Sequence, residues 1–272
     1  FSTQGYYKWL KDPVSNRERD DAEVINVLHD LHQDDPTLGY RFLTDELEHE
    51  GIRCSENRVH RLCRIGGIWA SHAKKKGKAG KPGPPVHDDL LATEGEHGQV
   101  RHVFTATGPN QVWLTDITEH PTREGKLYLC AVKDVFSNRI VGHSIDIRMK
   151  SSLAARAIQH AITLRNPEGT ICHSDRGSQF RSKRTQRLLA NNGLIGSMGR
   201  SYGAGDNASM ESFFSLLQKN VLDTRRWDTR EELRLAMVRW IETKYNRRRR
   251  QRSLGKLTPA EFEMIYRARA AA

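Results

Sequence analysis

Three acidic side chains occupy three different local settings and could together hold hard divalent cations. Asp116 lies in a run of strand-forming residues, Asp175 follows a short strand that breaks at Gly177, and Glu211 falls where a helical pattern begins. The steps between them are 59 and 36 positions. Carboxylates from separate elements are the ligands that a pair of divalent ions uses in phosphodiester chemistry. Asp116, Asp175 and Glu211 are therefore our candidate catalytic and metal-binding residues.

The charge of the chain predicts a polyanionic partner. The 272 residues carry a net charge of +11, and 37% of them are hydrophobic. Two basic runs concentrate this charge, at residues 74–81 and 247–252. One such run alone could be a solvated surface, but two of them beside the three carboxylates favour contact with a phosphate backbone. The candidate DNA contacts in these runs are Lys74, Lys75, Lys76, Arg247, Arg248, Arg249 and Arg250.

The cysteines and the hydropathy indicate where the protein works. The four cysteines contain no CxxC pair, which favours buried, reduced thiols in a cytoplasmic protein. No run of about 20 apolar residues is present, so we expect no membrane partner. The chain begins at Phe1 rather than Met, so we expect its N-terminal module to be incomplete.

Residues 1–70 predict a helical DNA-binding module. Helical spacing of apolar residues recurs at about 2–11, 20–33, 39–50 and 55–65. Short helices joined by tight turns are typical of a helix-turn-helix, and the last helix would then be the recognition helix. That helix would present Arg58, Arg61 and Arg64 to DNA. A plain three-helix bundle with a charged outer face is the alternative.

The remainder of the chain predicts an α/β domain between two basic segments. Residues 71–103 are rich in Lys, Gly and Pro, which favours a flexible basic linker. Residues 104–223 follow the order βββ-α-β-α-β-α, which is typical of a mixed sheet flanked by helices and not of a doubly wound one. The first helix of this domain, about 151–164, would be capped by Ser151 or Ser152. Residues 224–272 predict a C-terminal helical segment with the arginine-rich run.

Three sequence segments carry a resemblance to a known family. The segments are WLTDIT at 113–118, HSDRGSQF at 173–180 and DNASMESFF at 206–214. They resemble the DDE catalytic core of insertion-sequence transposases of the IS-three group, relatives of retroviral integrases. The 36-position step is that family's hallmark, and residues 245–263 resemble its C-terminal signature. Residues 35–70 resemble its upstream helix-turn-helix.

The resemblance implies a fold, a reaction and partners. It implies an RNase H-like fold with a mixed five-stranded sheet, preceded by the helix-turn-helix module. It also implies two Mg²⁺ (or Mn²⁺) ions, with Asp116 bridging them and Asp175 and Glu211 each completing one site. Such a transposase cuts or joins the ends of its element and transfers the strand to target DNA. We expect DNA as partner and a homo-oligomer assembled on it.

The chain departs from the family pattern at a few positions. Gln218 and Asn220 stand where Lys and Glu are frequent, and Lys219 is our candidate for the missing positive charge at the DNA. Gln251 stands where many relatives have histidine. These departures do not touch the three carboxylates, so they affect DNA positioning more than chemistry.

Several polar residues near the carboxylates have supporting or structural interpretations. Asn207 and Gln179 could contact DNA or orient the metal ligands, and Asp134 could support them from the neighbouring strand. Asp206 is expected to cap the Glu211 helix. His173 is expected in the core, on the face of its strand opposite to Asp175.

Two other functions remain open from the sequence alone. A DNA-binding remnant that regulates transposition without catalysis is one alternative to an active transposase. A general RNase H-like nuclease is the other, although the C-terminal signature argues against it.

Overall fold

A computed structural model describes most of the chain, which divides into two compact units, residues 1–73 and 74–272. The described residues are 2–11, 14–71, 83–94, 100–199 and 207–271. Among them, no helix combines the length and apolarity that crossing a membrane requires.

The first unit is helical. Its helices are α1 (Thr3–Lys11), α2 (Asn16–Asp34), α3 (Tyr40–His49) and α4 (Glu56–Ile65). A capping box fixes the start of α2: Ser15 Oγ accepts from Glu18 N at 3.3 Å, and Ser15 N donates to Glu18 Oε2 at 2.7 Å. This box starts α2 four residues earlier than the apolar periodicity alone predicts. The core of the unit is aliphatic and includes Val24, Leu28, Leu43, Leu47, Val59 and Leu62.

The second unit is built on a five-stranded mixed sheet. The strands of this unit are β1 (Ala92–Glu94), β2 (Val100–His102), β3 (Val112–Thr122), β4 (Gly125–Asp134), β5 (Ile140–Asp146), β6 (Ile171–Ser174) and β7 (Ile195–Met198). The five strands β3 to β7 form the sheet. The sheet order is β5-β4-β3-β6-β7, and β1 pairs with β2 in a separate hairpin. The strands β3, β4 and β5 are antiparallel, whereas β6 runs parallel to β3 and β7 parallel to β6. The predicted mixed sheet of five strands is confirmed.

Helices cover both faces of this sheet. They are α5 (Ser151–Arg165), α6 (Lys183–Asn191), α7 (Ala208–Leu217), α8 (Arg230–Arg239) and α9 (Pro259–Ala270). Both α7 and α8 continue into π-helical turns, at Gln218–Leu222 and Trp240–Tyr245. The N-cap of α5 is Lys150, which makes no side-chain capping bond, so neither of the two predicted serines caps this helix.

Alternation along the strands sorts the core into two layers. Leu114 of β3 lies in one layer with Phe213 of α7 and Leu233 of α8. Its neighbour Trp113 lies in the other layer with Ile158 of α5. Successive strand residues point to opposite faces, so the even-numbered residues of β3 face α7 and α8.

The linker predicted at 71–103 is not a linker throughout. Leu91 is buried in the core, Met198 N donates to Asp88 O at 3.1 Å, and Leu90 N donates to Ser197 Oγ at 3.0 Å. The segment before the β1–β2 hairpin is therefore held against β7. The lysines predicted to contact DNA, Lys74, Lys75 and Lys76, lie outside the described residues.

The C-terminal segment is an integral part of the second unit. Met237, Ile241 and Tyr245 are buried in the layer that α7 and α8 share. The sequence predicted helices in this segment, but only the structure shows that they complete the core.

The four cysteines are free thiols, and Cys63, Cys130 and Cys172 are buried. Burial raises the pKa of Cys172 to about 12, so this thiol stays protonated at neutral pH. Cys54 is only partly buried, unlike the expectation for all four.

Candidate active site

Asp116 lies within β3 and Asp175 directly follows β6, its parallel neighbour in the interior of the sheet. The last pair in the parallel register of β3 and β6 joins Thr115 and Ser174. Each aspartate is the next residue along its strand. Because neighbouring strands lie about 4.8 Å apart, this register alone brings two carboxylates 59 positions apart in sequence side by side.

Glu211 belongs to the helix that covers the same face of the sheet. Asp116 shares the strand face of Leu114, which packs in the layer containing Met210 and Phe213 of α7. Glu211 lies in the first turn of α7 and is exposed. The candidate trio thus comes from the middle of β3, the end of β6 and the start of α7.

Polar contacts fix the start of α7 against the strands. Asn207 is the N-cap of α7, and its Nδ2 donates to Thr115 O, the residue before Asp116, at 3.3 Å. Lys133 on β4 donates through Nζ to Ser209 Oγ at 2.8 Å and to Ser209 O at 3.0 Å. Both contacts lie within one helical turn of Glu211, so they set its position along the strands.

Lys133 is a site residue that the sequence reasoning missed. Burial lowers its pKa to about 8. The signal in the sequence is a lysine between Val132 and Asp134, at the end of an otherwise apolar strand. Strand alternation places it on the face of Asp116.

The loop after β6 orients Asp175. Gly177 N donates to Asp175 Oδ1 at 2.9 Å. Although solvent reaches part of Asp175, burial raises the pKa of its carboxyl, and the bond from Gly177 opposes that rise. A Cβ on Gly177 would lie 2.9 Å from Asp175 Oδ1 and 3.0 Å from Gln179 Oε1, so a larger residue would press on both side chains.

Gln179 therefore lies beside Asp175, and its amide also reaches α5. Its Nε2 donates to Met149 O at 3.2 Å, just before that helix. This contact is compatible with an orienting role toward Asp175.

The three carboxylates do not gather around a single point. In the part of the chain that the structure describes, the one set of three ligand groups within 4.8 Å of each other consists of other residues. A single ion bound by all three carboxylates would require their oxygen atoms to lie closer together. The donor set contains only carboxylate oxygens, which suits Mg²⁺ or Mn²⁺.

Asp134 does not support the trio. It pairs with Trp113 on β3, three register positions from the Asp116 pair. Its carboxylate accepts from Asn110 N at 2.8 Å and Phe136 N at 2.9 Å, and Arg165 NH2 lies 3.3 Å away. The predicted supporting role is wrong, because Asp134 shares the face of Trp113, opposite to that of Asp116, and there belongs to a buried ionic network.

His173 is buried, as predicted, but not on the predicted face. Residues two apart in a strand share a face, so His173 lies on the same side of β6 as Asp175. It pairs with Leu114, which faces α7. Asp206, expected to cap α7, lies outside the described residues, and Asn207 occupies the N-cap position without a side-chain capping bond.

The predicted recognition helix is α4, but two of its arginines are committed to ion pairs. Arg58 NH2 lies 2.5 Å from Asp20 and 2.8 Å from Asp21, and Arg61 NH2 lies 2.6 Å from Asp21. These contacts tie α4 to α2. Arg64, in the last turn of α4, is exposed. Of the three, Arg64 is the one whose surroundings suit DNA contact.

The arginine run at 247–250 also contains both exposed residues and residues that contact the rest of the fold. Arg247 and Arg248 are exposed, whereas Arg249 and Arg250 are partly buried. Arg250 NH2 lies 3.6 Å from Glu261 Oε1, and burial lowers the pKa of Arg249 to about 10. The inner half of the run therefore joins the C-terminal helix to the fold. Lys219 is partly buried in the π-helical turn that follows α7.

Comparison with known proteins agrees with this architecture. Residues 17–76 match the HTH-like domain, and residues 106–204 and 192–259 match two integrase core domain families. The insertion element IS600 31 kDa protein of Shigella sonnei is 35% identical over 99% of this chain and 97% of its own length. The transposase InsF for insertion sequence IS3A of Escherichia coli is 34% identical, covering 95% of this chain and 89% of its own length. This chain belongs to the IS3 family of transposases.

Further relatives fit this assignment. The transposase for insertion sequence element IS904 of Lactococcus lactis is 34% identical over 86% of this chain and 90% of its own length. Among solved structures, the HTLV-2 integrase catalytic core domain in complex with magnesium is similar with a TM-score of 0.46 and 21% identity. That likeness covers 58% of this chain and 99% of the integrase chain. As an IS3-family transposase, the chain is a polynucleotidyl transferase with an RNase H-like core and a helix-turn-helix module.

Proposed function

We propose that this transposase cleaves the ends of its own DNA element and joins them to target DNA through Asp116, Asp175 and Glu211. The main support for this proposal is the parallel register of β3 and β6, whose last pair lies one residue before Asp116 and Asp175. The helix that holds Glu211 packs on the face to which Asp116 points.

Two Mg²⁺ (or Mn²⁺) ions fit the donor set better than one. The spread of the carboxylates beyond 4.8 Å suits one residue shared between two ions, with one further residue for each. Asp116, between the other two elements, would be shared, while Asp175 and Glu211 would each complete one site. When bound, the ions would lower the pKa of the attacking hydroxyl or water and stabilise the leaving oxygen.

The protein groups around the trio have positioning roles in this proposal. Gly177 N–H holds one oxygen of Asp175, which directs the other oxygen toward the site. Asn207 and Lys133 hold the first turn of α7 and thereby the position of Glu211. Gln179 would orient Asp175 or contact DNA.

The surfaces that would bring DNA to this site are basic and exposed. Arg64 lies on α4, and Arg247 and Arg248 follow the last turn of the helical segment after α8. We assign phosphate contacts to these residues, to Lys219 and to the basic run at 74–76. The partners in this proposal are element ends and target DNA, bound in the bacterial cytoplasm at the nucleoid by a homo-oligomer of the chain.

Strand transfer by the full chain tests the proposal. The substrate is a labelled duplex that carries the inverted repeats flanking the gene, with Mg²⁺ or Mn²⁺ as the only metal added. We expect Asp116→Asn, Asp175→Asn and Glu211→Gln each to lower activity by more than roughly 100-fold, since each removes a metal ligand. Glu168→Gln is the matched control, because Glu168 is an exposed carboxylate in the loop before β6, at the opposite end of that strand.

The alternatives give different results. Salt-sensitive DNA binding without strand transfer under either metal would favour the non-catalytic regulator. Cleavage of RNA–DNA hybrid without preference for the element ends would favour a general nuclease. Activity unchanged in the Asp116 and Glu211 variants would overturn the assignment of the trio.

A further inference from the structure

A second group of metal-ligating side chains lies beneath the β1–β2 hairpin. Asp89, His102 and His173 each offer one ligand atom, and these atoms all lie within 4.8 Å of one another. His173 is 1% exposed, and the side chains of His102 and Asp89 are 5% and 12% exposed. The group shares no residue with the carboxylate trio.

The hydrogen bonds around this group resemble those that orient metal ligands. His173 Nδ1 lies 2.9 Å from Ser197 Oγ, and the same Oγ accepts from Leu90 N at 3.0 Å. Metal-binding histidines usually use their second ring nitrogen in such a bond, which fixes the ring and its tautomer. With Nδ1 directed at Ser197, Nε2 is the nitrogen of His173 that would coordinate.

The other two ligands are already in contact. His102 Nε2 lies 2.7 Å from Asp89 Oδ2. A bound cation would replace the proton that these two atoms share. Ligand atoms of a tetrahedral zinc site lie roughly 3.4 Å apart, given zinc–nitrogen distances of about 2.0–2.1 Å. Small side-chain movements would reach that geometry from the observed spacing.

We propose that Asp89, His102 and His173 form a binding site for Zn²⁺ or a similar first-row transition metal. Two imidazoles and one carboxylate favour such ions over Mg²⁺, which prefers oxygen ligands alone. The site is thus chemically distinct from the proposed catalytic one, and it does not depend on the proposed transposition reaction.

The position of the ligands gives the metal a structural role. Asp89 precedes β1, His102 ends β2, and His173 lies on β6, two residues before Asp175. The segment that leads into the hairpin also contacts β7, through the bonds from Leu90 N to Ser197 Oγ and from Met198 N to Asp88 O. A metal at this point fastens the hairpin to the strand that leads to Asp175.

Metal binding by the untagged full chain tests the site directly. After removal of metal with a chelator, the chain is titrated with Co²⁺ and then Zn²⁺ in excess Mg²⁺. We expect one Co²⁺ per chain, with the visible absorption of a tetrahedral nitrogen and oxygen site, displaced by one Zn²⁺. We also expect Zn²⁺ to raise the melting temperature of the chain.

Variants separate this site from the carboxylate trio. His102→Asn and Asp89→Asn should abolish the Co²⁺ spectrum and the stabilisation by Zn²⁺. Ser197→Ala should weaken binding by roughly 10- to 100-fold, the usual effect of losing a partner of a metal-bound histidine. Glu211→Gln and the matched histidine control His60→Asn, in the other unit, should leave both signals unchanged.

Two outcomes would overturn the proposal. One is a wild-type chain that binds Zn²⁺ no more tightly than the His102→Asn variant. The other is a Co²⁺ spectrum that survives His102→Asn but is lost with Glu211→Gln. Because the metal-free variants are compared with the metal-free wild type, a variant that folds poorly is recognised before metal is added.

Discussion

Replacement of Arg165 by leucine should destabilise the second unit strongly, because it removes the cation that pairs with buried Asp134 and leaves buried Glu263 with Arg139 alone. Arg165 NH1 and NH2 bind Glu263 at 2.7 and 2.8 Å, and NH2 also lies 3.3 Å from Asp134. Arg139 NH1 adds a contact to Glu263 at 2.8 Å. This network joins α5 and the end of β4 to α9.

The magnitude follows from burial. The side chains of Arg165, Glu263 and Asp134 are 4%, 2% and 0% exposed. Removal of one partner from a buried ion pair costs about 3–5 kcal/mol, because the remaining charge stays desolvated. For a unit of about 200 residues, this predicts a melting temperature lower by roughly 6–20 °C. The exposed pair of Arg123 and Asp228 provides the control, since Arg123→Leu should cost about 0–1 kcal/mol.

Urea unfolding followed by tryptophan fluorescence measures both variants, because Trp113, Trp227 and Trp240 are buried in this unit. Lower pH gives a second readout. Burial alone would raise the pKa of Glu263, but in the wild type Arg165 and its neighbours outweigh burial and lower it. Wild-type stability from this group is therefore lost as pH falls, whereas the variant can protonate Glu263 and gain relative stability.

The difference in the free energy of unfolding between the wild type and Arg165→Leu should thus become smaller toward pH 4. A loss no larger than that of Arg123→Leu at pH 7 would refute the reasoning about burial. A gap that widens as pH falls would refute the reasoning about Glu263.

Three further predictions concern the site and the helix-turn-helix. Lys133→Met should expose a pH dependence: the folded pKa is about 8 against 10.5 for the free side chain, so the unfolded chain binds the proton more tightly. Wild-type stability relative to the variant should then rise by roughly 2.5 kcal/mol between pH 7 and 10, and a flat difference in urea unfolding would contradict the burial effect. Asn207→Ala should cost about 1 kcal/mol of stability, because it removes the buried hydrogen bond to Thr115 O. It should lower strand transfer at least roughly tenfold, as it frees the start of α7; equal activity would show that the anchor is dispensable. Arg64→Ala should reduce the salt slope of DNA binding by about 1, whereas Arg58→Ala should lower the melting temperature of the first unit and leave the slope unchanged; the reverse pattern in fluorescence titrations would contradict the assignment.

The elements of the second unit follow from sequence patterns wherever local periodicity and local burial agree. The strands β3 to β5 are rich in strand-forming residues, and α5 carries a clear apolar face, so both were predictable within a few residues. The segment at 83–94 was not, because its structure depends on distant contacts such as that of Leu90 with Ser197. A composition rich in Lys, Gly and Pro indicates only that the segment has no local preference for helix or strand.

The residues of the candidate site likewise differ in whether local sequence or a distant contact determines their role. Asp116, Asp175 and Glu211 could be chosen from residue type, order and spacing. The role of Lys133 could not, because its partner Ser209 lies 76 positions away. The prediction for Asp134 was wrong for a related reason. Its place on the strand next to β3 does not reveal that it pairs with distant Arg165 on the opposite face of the sheet.

The two aspartates and the glutamate depend on different forces. A register of backbone hydrogen bonds places Asp116 and Asp175, so any sequence that forms β3 and β6 in this register brings them together. Glu211 depends on a helix that packs by apolar contact, which is non-directional and permits sliding along the sheet. The directional bonds of Asn207 and Lys133 remove that freedom at the first turn of α7. Substitution at these two anchors should therefore separate catalysis from stability, whereas substitution in β3 or β6 should lower both together.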